Sequence, residues 1–208
     1  EYNAFLVNNK ERLIEVFEQI SLNEIGEIKE TTIKKSQWGI PAYQYYNQHK
    51  KMKATKVYQK NVYDNYGNNI LIAPNRTYTE IMFEEWCEGY DKVKHVYKNG
   101  DKGEDFFSIV YRRAFRRNHF YPDYIIKTSD GQIWILEAKG GMTADGSSNN
   151  IDKYAGKKFE ALKEYCSRHP ELHWGFVRAV GTQLYISNTV WTEDMTNDKV
   201  WKPIESIV

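Results

Sequence analysis

Cysteine is scarce in this chain of 208 residues, which has two, Cys87 and Cys166, without a Cys or His at zinc-ligand spacing from either. This scarcity argues against a disulfide framework and a zinc site, and it is typical of a protein from a reducing cytoplasm. Long hydrophobic runs are also lacking, so no membrane partner is expected. An excess of one charge is lacking too, because the net charge is +1, which argues against a uniformly basic nucleic-acid binder.

Apolar and aromatic residues are plentiful by contrast, at 41% and 15% of the chain. This composition predicts a packed core rather than a disordered chain. The first residue is Glu1 and not Met, so we expect the sequence to be a fragment of a longer protein or to lack its natural start.

Composition divides the chain into two parts. Residues 9–22 space their apolar side chains as a helix does. Residues 29–63 hold eight Lys and one acidic residue, and their aromatic side chains alternate with polar ones as in strands. We therefore predict a helix and a basic, β-rich extension over residues 1–72, and a second domain over residues 73–208.

The second domain has a clear order of elements. Its patterns predict helices over 75–90 and 151–168, strands over 92–98, 106–112, 121–128, 132–138, 173–180 and 183–187, and a loop over 140–150. This alternation of helices and strands predicts an α/β (α+β) fold, in which a central mixed β-sheet is flanked by helices.

Three charged residues interrupt the two apolar strands predicted between residues 119 and 141. Asp123 follows Pro122 at the start of the first strand, and Glu137 and Lys139 lie two residues apart on the second. Residues two apart on a strand share a face, so Glu137 and Lys139 should point the same way.

The register between these two strands determines whether the Asp123 side chain lies on the same face as Glu137 and Lys139. A strict two-residue turn at Asp130 and Gly131 pairs positions whose numbers sum to 261, which sets Asp123 opposite Ala138 and on the wrong face from Glu137. A three-residue loop or one bulge gives an even sum and sets Asp123 beside Glu137. We predict the loop or the bulge.

Two neighbouring carboxylates repel each other in a half-buried sheet, and a divalent cation removes that repulsion. Oxygen ligands without His or Cys favour Mg²⁺, with Mn²⁺ as a second possibility. The alternative is a solvated surface salt bridge worth about 0–1 kcal/mol. The apolar residues around Glu137 and Lys139 favour the metal site.

The segments "YPDYII" and "ILEAKGG" resemble the PD-(D/E)xK nuclease signature, to which Pro122, Asp123, Glu137, Ala138 and Lys139 correspond one by one. The wider run over about residues 75–188 is similar to the C-terminal endonuclease domain of type III restriction enzyme Res subunits and related helicase-nucleases. This resemblance implies a restriction-endonuclease-like fold and Mg²⁺-dependent cleavage of double-stranded DNA in the bacterial cytoplasm.

The resemblance also implies roles and partners. Asp123, Glu137 and the backbone carbonyl of Ala138 would hold the metal ion, and Lys139 would orient water or stabilise charge. ATP would act only through a helicase module of the parent chain, because no Walker A pattern is present here. Residues 1–72 would link to that module, and a Mod-type DNA-methyltransferase subunit would be a further partner.

A further acidic ligand is expected on the first helix of the domain. Glu80 is the candidate and Glu84, one turn later, is the backup. The run "TYTE" is equally typical of a capping box, in which Thr77 caps the helix and Glu80 bonds back to it. A Glu80 carboxylate near Asp123 favours the site, whereas one bonded to the Thr77 backbone favours the cap.

Basic residues precede Asp123 and recur on the second helix. The candidates for contact with DNA phosphates are Arg112, Arg113, Arg116, Arg117 and Lys157. The alternative for these residues is an ordinary solvated surface.

Two other functions share this sequence pattern. One is a DNA-binding module on the same fold that is catalytically silent, and the other is an exonuclease of the repair type. The intact motif favours cleavage over binding alone.

Overall fold

The computed structural model describes residues 38–44, 47–48, 56–67, 70–71, 76–113, 116–142 and 151–208. The helix predicted over residues 9–22 and most of the basic extension lie outside the described residues.

Strands dominate the described chain. Its elements in order are β1 (Asn47–Gln48), β2 (Ile70–Leu71), α1 (Tyr78–Gly89), β3 (Val93–Lys98), β4 (Ile109–Arg113), β5 (Arg116–Phe120), β6 (Tyr124–Thr128), β7 (Ile133–Met142), α2 (Ala155–Ser167), β8 (Leu172–Val180), β9 (Gln183–Ser187), β10 (Lys202–Pro203) and a 3₁₀ turn (Ile204–Ser206).

Six of these strands form one mixed sheet in the order β10-β9-β8-β7-β6-β3. Every neighbouring pair is antiparallel except β7 and β8, which are parallel and are joined through α2. A parallel pair needs such a crossover, because a tight turn can only join antiparallel strands. The predicted mixed sheet with flanking helices is therefore confirmed.

Each face of the sheet carries its own apolar cluster. Phe83 of α1 packs in one cluster with sheet residues that include Leu136. Phe159 of α2 packs in the other, with Ile135 and residues of the β4–β5 hairpin. Alternation along β7 therefore turns its even-numbered residues towards α1 and its odd-numbered residues, such as Glu137, towards α2.

A segment of the predicted extension covers the edge of the sheet. The backbone N–H of Val62 donates to the Val96 carbonyl at 2.9 Å, and the Val96 N–H donates to the Lys60 carbonyl at 2.8 Å. These bonds run along β3, the last strand of the sheet. The segment thus pairs part of an edge that would otherwise expose unpaired backbone groups.

The loop prediction over 140–150 is wrong for its first residues, because β7 continues through Gly140 and Gly141 to Met142. Gly141 lies so close to β8 that a Cβ atom there would meet the Ala179 carbonyl oxygen at 2.0 Å. The register between β7 and β8 also shifts after Lys139. Gly141 therefore serves close strand packing at an irregular point of the sheet, and both glycines belong to the strand and not to a turn.

Other boundaries differ by a few residues. β4 begins at Ile109 rather than at 106, and β5 pairs with it as a second strand where none is predicted. α2 begins at Ala155 rather than at 151.

The structure shows the state of the two cysteines and the hydrophobicity of the described helices. Cys87 and Cys166 are both buried and carry free thiols. Within the ranges described above, no helix combines the length and the hydrophobicity that a bilayer crossing requires.

Candidate active site

The turn between β6 and β7 sets the register as predicted. Tyr124 pairs with Leu136, so paired positions sum to an even number and the next pair outward is Asp123 with Glu137. The Gly131 N–H donates to the Thr128 carbonyl at 3.0 Å, and Gly131 has a φ of 91°. This is a three-residue hairpin loop closed by a glycine in the left-handed region.

Asp123 lies just before β6, and its two carboxylate oxygens have different partners. Oδ1 accepts from the Lys98 ammonium at 2.9 Å, and Oδ2 accepts from the backbone N–H of Ala138 at 2.9 Å. The N–H and C=O of one strand residue point to the same side. The Ala138 carbonyl therefore faces the edge on which Asp123 lies, as the predicted ligand set requires.

Asn99 fixes the backbone around Asp123. Its side-chain Nδ2 donates to the Pro122 carbonyl at 2.9 Å and to the Phe107 carbonyl at 2.8 Å, and its backbone N–H donates to the Asp123 carbonyl at 2.8 Å. These bonds tie the entry of β6 to the end of β3. They hold the Asp123 backbone in place independently of its side chain.

Glu137 and Lys139 point to the same side of β7, as their spacing predicts. The Lys139 ammonium donates to Glu137 Oε1 at 2.5 Å, and the Asp123 N–H donates to Glu137 Oε2 at 3.2 Å. Both side chains are largely buried, but 22% of the Asp123 side chain is exposed. The site is therefore buried around Glu137 and accessible to solvent at Asp123.

The pKa values of Asp123 and Glu137 are shifted in opposite directions. Burial raises the pKa of Glu137 to about 8, and the neighbouring negative charge of Asp123 adds to the effect. Burial also opposes ionisation of Asp123, but the ammonium groups of Lys98 and Lys139 outweigh it and lower the pKa of Asp123. In the metal-free protein one acid is therefore held ionised and its neighbour favours the protonated form.

In EDTA the protein should lose stability as the pH rises towards about 8, and Glu137→Gln should reduce this loss. A folded-state pKa above the unfolded value of about 4.3 favours the folded state at low pH, and that contribution disappears as the pH rises through the folded pKa. Asp123 and Asp152 have lowered pKa values and titrate in a more acidic range.

Urea unfolding in EDTA, from about pH 5 to about pH 9, measures this change. The difference between wild type and Glu137→Gln should grow by on the order of 3 kcal/mol across the range, because the contribution of Glu84, whose pKa is also raised by burial, is common to both proteins and cancels. Parallel curves for the two proteins would contradict the raised pKa of Glu137.

Glu80 serves the helix cap and the site together. Its Oε2 accepts from the Thr77 N–H at 2.7 Å, while the Thr77 hydroxyl accepts from the Glu80 N–H, which completes the predicted capping box. Its Oε1 accepts from the Lys98 ammonium at 2.6 Å, and Lys98 in turn binds Asp123. Glu80 therefore forms the capping box, and it is linked to Asp123 through Lys98.

Glu84 lies in a separate buried network. Its carboxylate accepts from the Tyr66 hydroxyl at 2.6 Å and from the Tyr124 hydroxyl at 2.8 Å, and it pairs with the Arg76 guanidinium. Burial raises the pKa of Glu84 despite these partners. These contacts hold the Glu84 side chain among Tyr66, Tyr124 and Arg76, away from the Asp123 carboxylate.

Three residues of the site were not singled out by sequence reasoning: Lys98, Asp152 and Lys158. Lys98 closes β3 and joins Glu80 to Asp123. Asp152 Oδ2 accepts from Lys139 at 3.2 Å and from Lys158 at 2.9 Å. Asp152 lies three residues before α2 and Lys158 lies in its first turn, and no spacing rule links either of them to Lys139.

Some of the predicted DNA-binding residues line one groove between the β4–β5 hairpin and α2. It has a volume of about 510 Å³, and Arg112, Arg117, Lys157 and Arg168 supply its positive charge, with Glu160 and Glu164 opposing them. Arg113 and Arg116 pair with each other in the hairpin backbone, and their side chains lie outside the described residues.

The donor set fits a hard divalent cation. The Asp123 and Glu137 carboxylates lie side by side, and strand geometry turns the Ala138 carbonyl to the same side of β7 as its N–H. Such oxygen donors suit Mg²⁺ or Mn²⁺. No group of three His, Cys, Asp or Glu side chains that could hold a metal is found among the described residues. The third donor here would be the Ala138 carbonyl, and Lys98 stands between Glu80 and Asp123.

Comparison with known proteins adds no relative. The chain matches no family model, no curated protein and no solved structure. The resemblance to the PD-(D/E)xK nucleases therefore depends on the motif residues, and the geometry of their side chains gives a separate ground for a functional proposal.

Proposed function

We propose that this chain is a metal-dependent DNA endonuclease domain of the PD-(D/E)xK type, from a type III restriction-like helicase-nuclease. One observation carries the proposal: Asp123 and Glu137 lie side by side at the start of β6, where the Asp123 side chain is partly exposed and the buried Lys139 ammonium is hydrogen-bonded to Glu137. The parent chain would supply an ATP-driven helicase module, and a Mod-type methyltransferase subunit would read the DNA sequence.

Asp123, Glu137 and the Ala138 carbonyl would hold the cation. When bound, it would polarise a phosphoryl oxygen and make a water molecule more acidic. The charge of the cation would also offset the burial and the repulsion by Asp123 that raise the pKa of Glu137. Both carboxylates would then stay ionised at neutral pH.

Lys139 would act on the reacting phosphate. Glu137 and Asp152 accept hydrogen bonds from its ammonium at 2.5 and 3.2 Å, and an ammonium group has three N–H donors. The remaining donor can orient the attacking water or stabilise the charge that grows on the phosphate. Because the ammonium is buried and held from two sides, it needs little reorganisation when that charge appears. In-line attack and a 5′-phosphate end are expected from the family.

Supercoiled plasmid tests the proposal. Incubation with the 208-residue chain and Mg²⁺ should give nicked and linear DNA, EDTA should stop the reaction, and a circular substrate should be cut as readily as a linear one. Cleavage of linear DNA from its ends alone would favour the repair-type exonuclease. Mg²⁺-independent cleavage would contradict the assigned site.

A catalytically silent DNA-binding module is the second candidate. The observation that favours it is that Lys98 pairs with Asp123 and Lys139 pairs with Glu137. Both carboxylates therefore have a positively charged partner without a metal ion. Duplex binding without cleavage, together with no Mn²⁺ binding at Asp123, would select this alternative. Mn²⁺ binding that is lost in Asp123→Asn would select the nuclease site even if the chain needs its motor to cut.

The groove between hairpin and α2 should carry part of the DNA affinity. Replacing Arg112 and Arg117 together by Gln should weaken duplex binding and reduce the slope of log K against log salt by about 2, since each cation that leaves a phosphate removes about one released counterion. Fluorescence anisotropy over a salt series measures the slope.

The matched control replaces two exposed lysines away from the groove, Lys127 and Lys199, by Gln. It should leave the slope within about 0.5 of the wild-type value. An unchanged slope in the Arg112 and Arg117 variant would mean that the groove does not contact DNA.

A further inference from the structure

The Lys98 side chain is the most deeply buried charge of the site, with 3% of its surface exposed. Its ammonium lies 2.6 Å from Glu80 Oε1 and 2.9 Å from Asp123 Oδ1, and 4.3 Å from the centre of the Tyr124 ring. A buried ammonium is costly unless it is paired. Lys98 therefore holds a fixed positive charge between a helix carboxylate and a strand carboxylate.

A second metal ion would need the position that the Lys98 ammonium occupies beside Asp123 Oδ1. A carboxylate that bridges two cations binds one with each oxygen, and in two-metal sites the ions lie about 3.5–4 Å apart. In Asp123, Oδ1 accepts from the Lys98 ammonium and Oδ2 accepts from the Ala138 N–H. A second cation at Oδ1 would have to displace the ammonium.

Glu80 offers no alternative ligand for a second ion. One of its oxygens accepts from Lys98 and the other from the Thr77 N–H, at 2.6 and 2.7 Å. A second cation bound by Glu80 Oε1 would lie beside the Lys98 ammonium, whose positive charge repels it.

The net charge of the site also opposes a second cation. Its ion pairs join four carboxylates to three ammonium groups, which gives a net charge of −1 when all are ionised. These groups are Glu80, Asp123, Glu137 and Asp152 with Lys98, Lys139 and Lys158. One divalent cation reverses this charge to +1. A second would add two more positive charges in a largely buried region, where repulsion is strong.

We propose that Lys98 is a built-in cation that takes the place of a second metal ion, so that this site binds a single divalent cation. The inference rests on the proposed metal site at Asp123 and Glu137. Lys98 is a positioning residue in this account: it aligns Asp123 Oδ1 and leaves Oδ2 for the one ion.

Mn²⁺ titration followed by calorimetry and by electron paramagnetic resonance counts the ions directly. Wild type should bind one Mn²⁺ that is lost in Asp123→Asn. Lys98→Met should bind two, because it frees Asp123 Oδ1 and Glu80 Oε1. Adding Glu80→Gln to Lys98→Met should return the count to one. The control Lys127→Met, an exposed lysine on β6, should bind one.

Glu80→Gln alone keeps the test decisive if Lys98→Met does not fold. Gln at this position retains the capping box, and in this account it leaves one Mn²⁺ with an affinity within about 3-fold of wild type, since Glu80 touches the site only through Lys98. Two ions in wild type, one ion in folded Lys98→Met, or loss of the ion in Glu80→Gln would overturn the role of Lys98. Failure of wild type to bind any Mn²⁺ would instead overturn the proposed metal site.

Discussion

Asp123→Asn reduces plasmid cleavage by about a thousandfold or more in our account, which corresponds to about 4 kcal/mol of lost transition-state stabilisation. Asn keeps the shape and can still accept the Ala138 N–H, but it removes the charge that faces the cation and Lys98. The rate of loss of supercoiled plasmid in Mg²⁺ measures the effect.

The fold of this variant should survive, because Asn99 holds the Asp123 backbone through bonds that do not involve the carboxylate. Thermal unfolding provides that check, and Asp198→Asn, at an exposed carboxylate, is the matched control for activity. Cleavage by a folded Asp123→Asn protein within about 3-fold of wild type would mean that Asp123 has no part in the reaction.

Lys139→Met reduces cleavage by a few hundredfold or more, on the order of the loss seen when one preorganised donor to developing charge is removed. Methionine fills the buried space of the lysine stem but has no ammonium. The change should leave Mn²⁺ binding intact, since Lys139 is not a ligand in this account. The same plasmid assay and the Mn²⁺ titration measure the two effects separately.

This separation distinguishes a role in the reaction from a role in the fold. Lys127→Met is the matched control, because Lys127 is an exposed lysine on the neighbouring strand. A Lys139→Met protein that loses cleavage and Mn²⁺ binding together would show that Lys139 supports the carboxylates and does not act on the phosphate.

The local parts of the site were predictable from the sequence. The spacing of Glu137 and Lys139 fixes their shared face, and the Ser129–Gly131 loop fixes the register that brings Asp123 opposite Glu137. The capping box was equally readable, because its partners are three residues apart. In each case the contact depends on residues close in the chain or on strand alternation.

The remaining parts depend on contacts between distant residues. Lys98 reaches Glu80 and Asp123 across 18 and 25 positions of the chain, so no spacing rule predicts it. Gly141 was assigned to a loop because glycine usually breaks strands, whereas here the backbone of β8 comes too close for a side chain.

A crystal soaked in Mn²⁺ tests the central claim most directly. Anomalous density should appear once at this edge, between the carboxylates of Asp123 and Glu137 and beside the Ala138 carbonyl, with Lys98 still bonded to Asp123 Oδ1. The absence of anomalous density beside Asp123 and Glu137 at saturating Mn²⁺ would contradict the account.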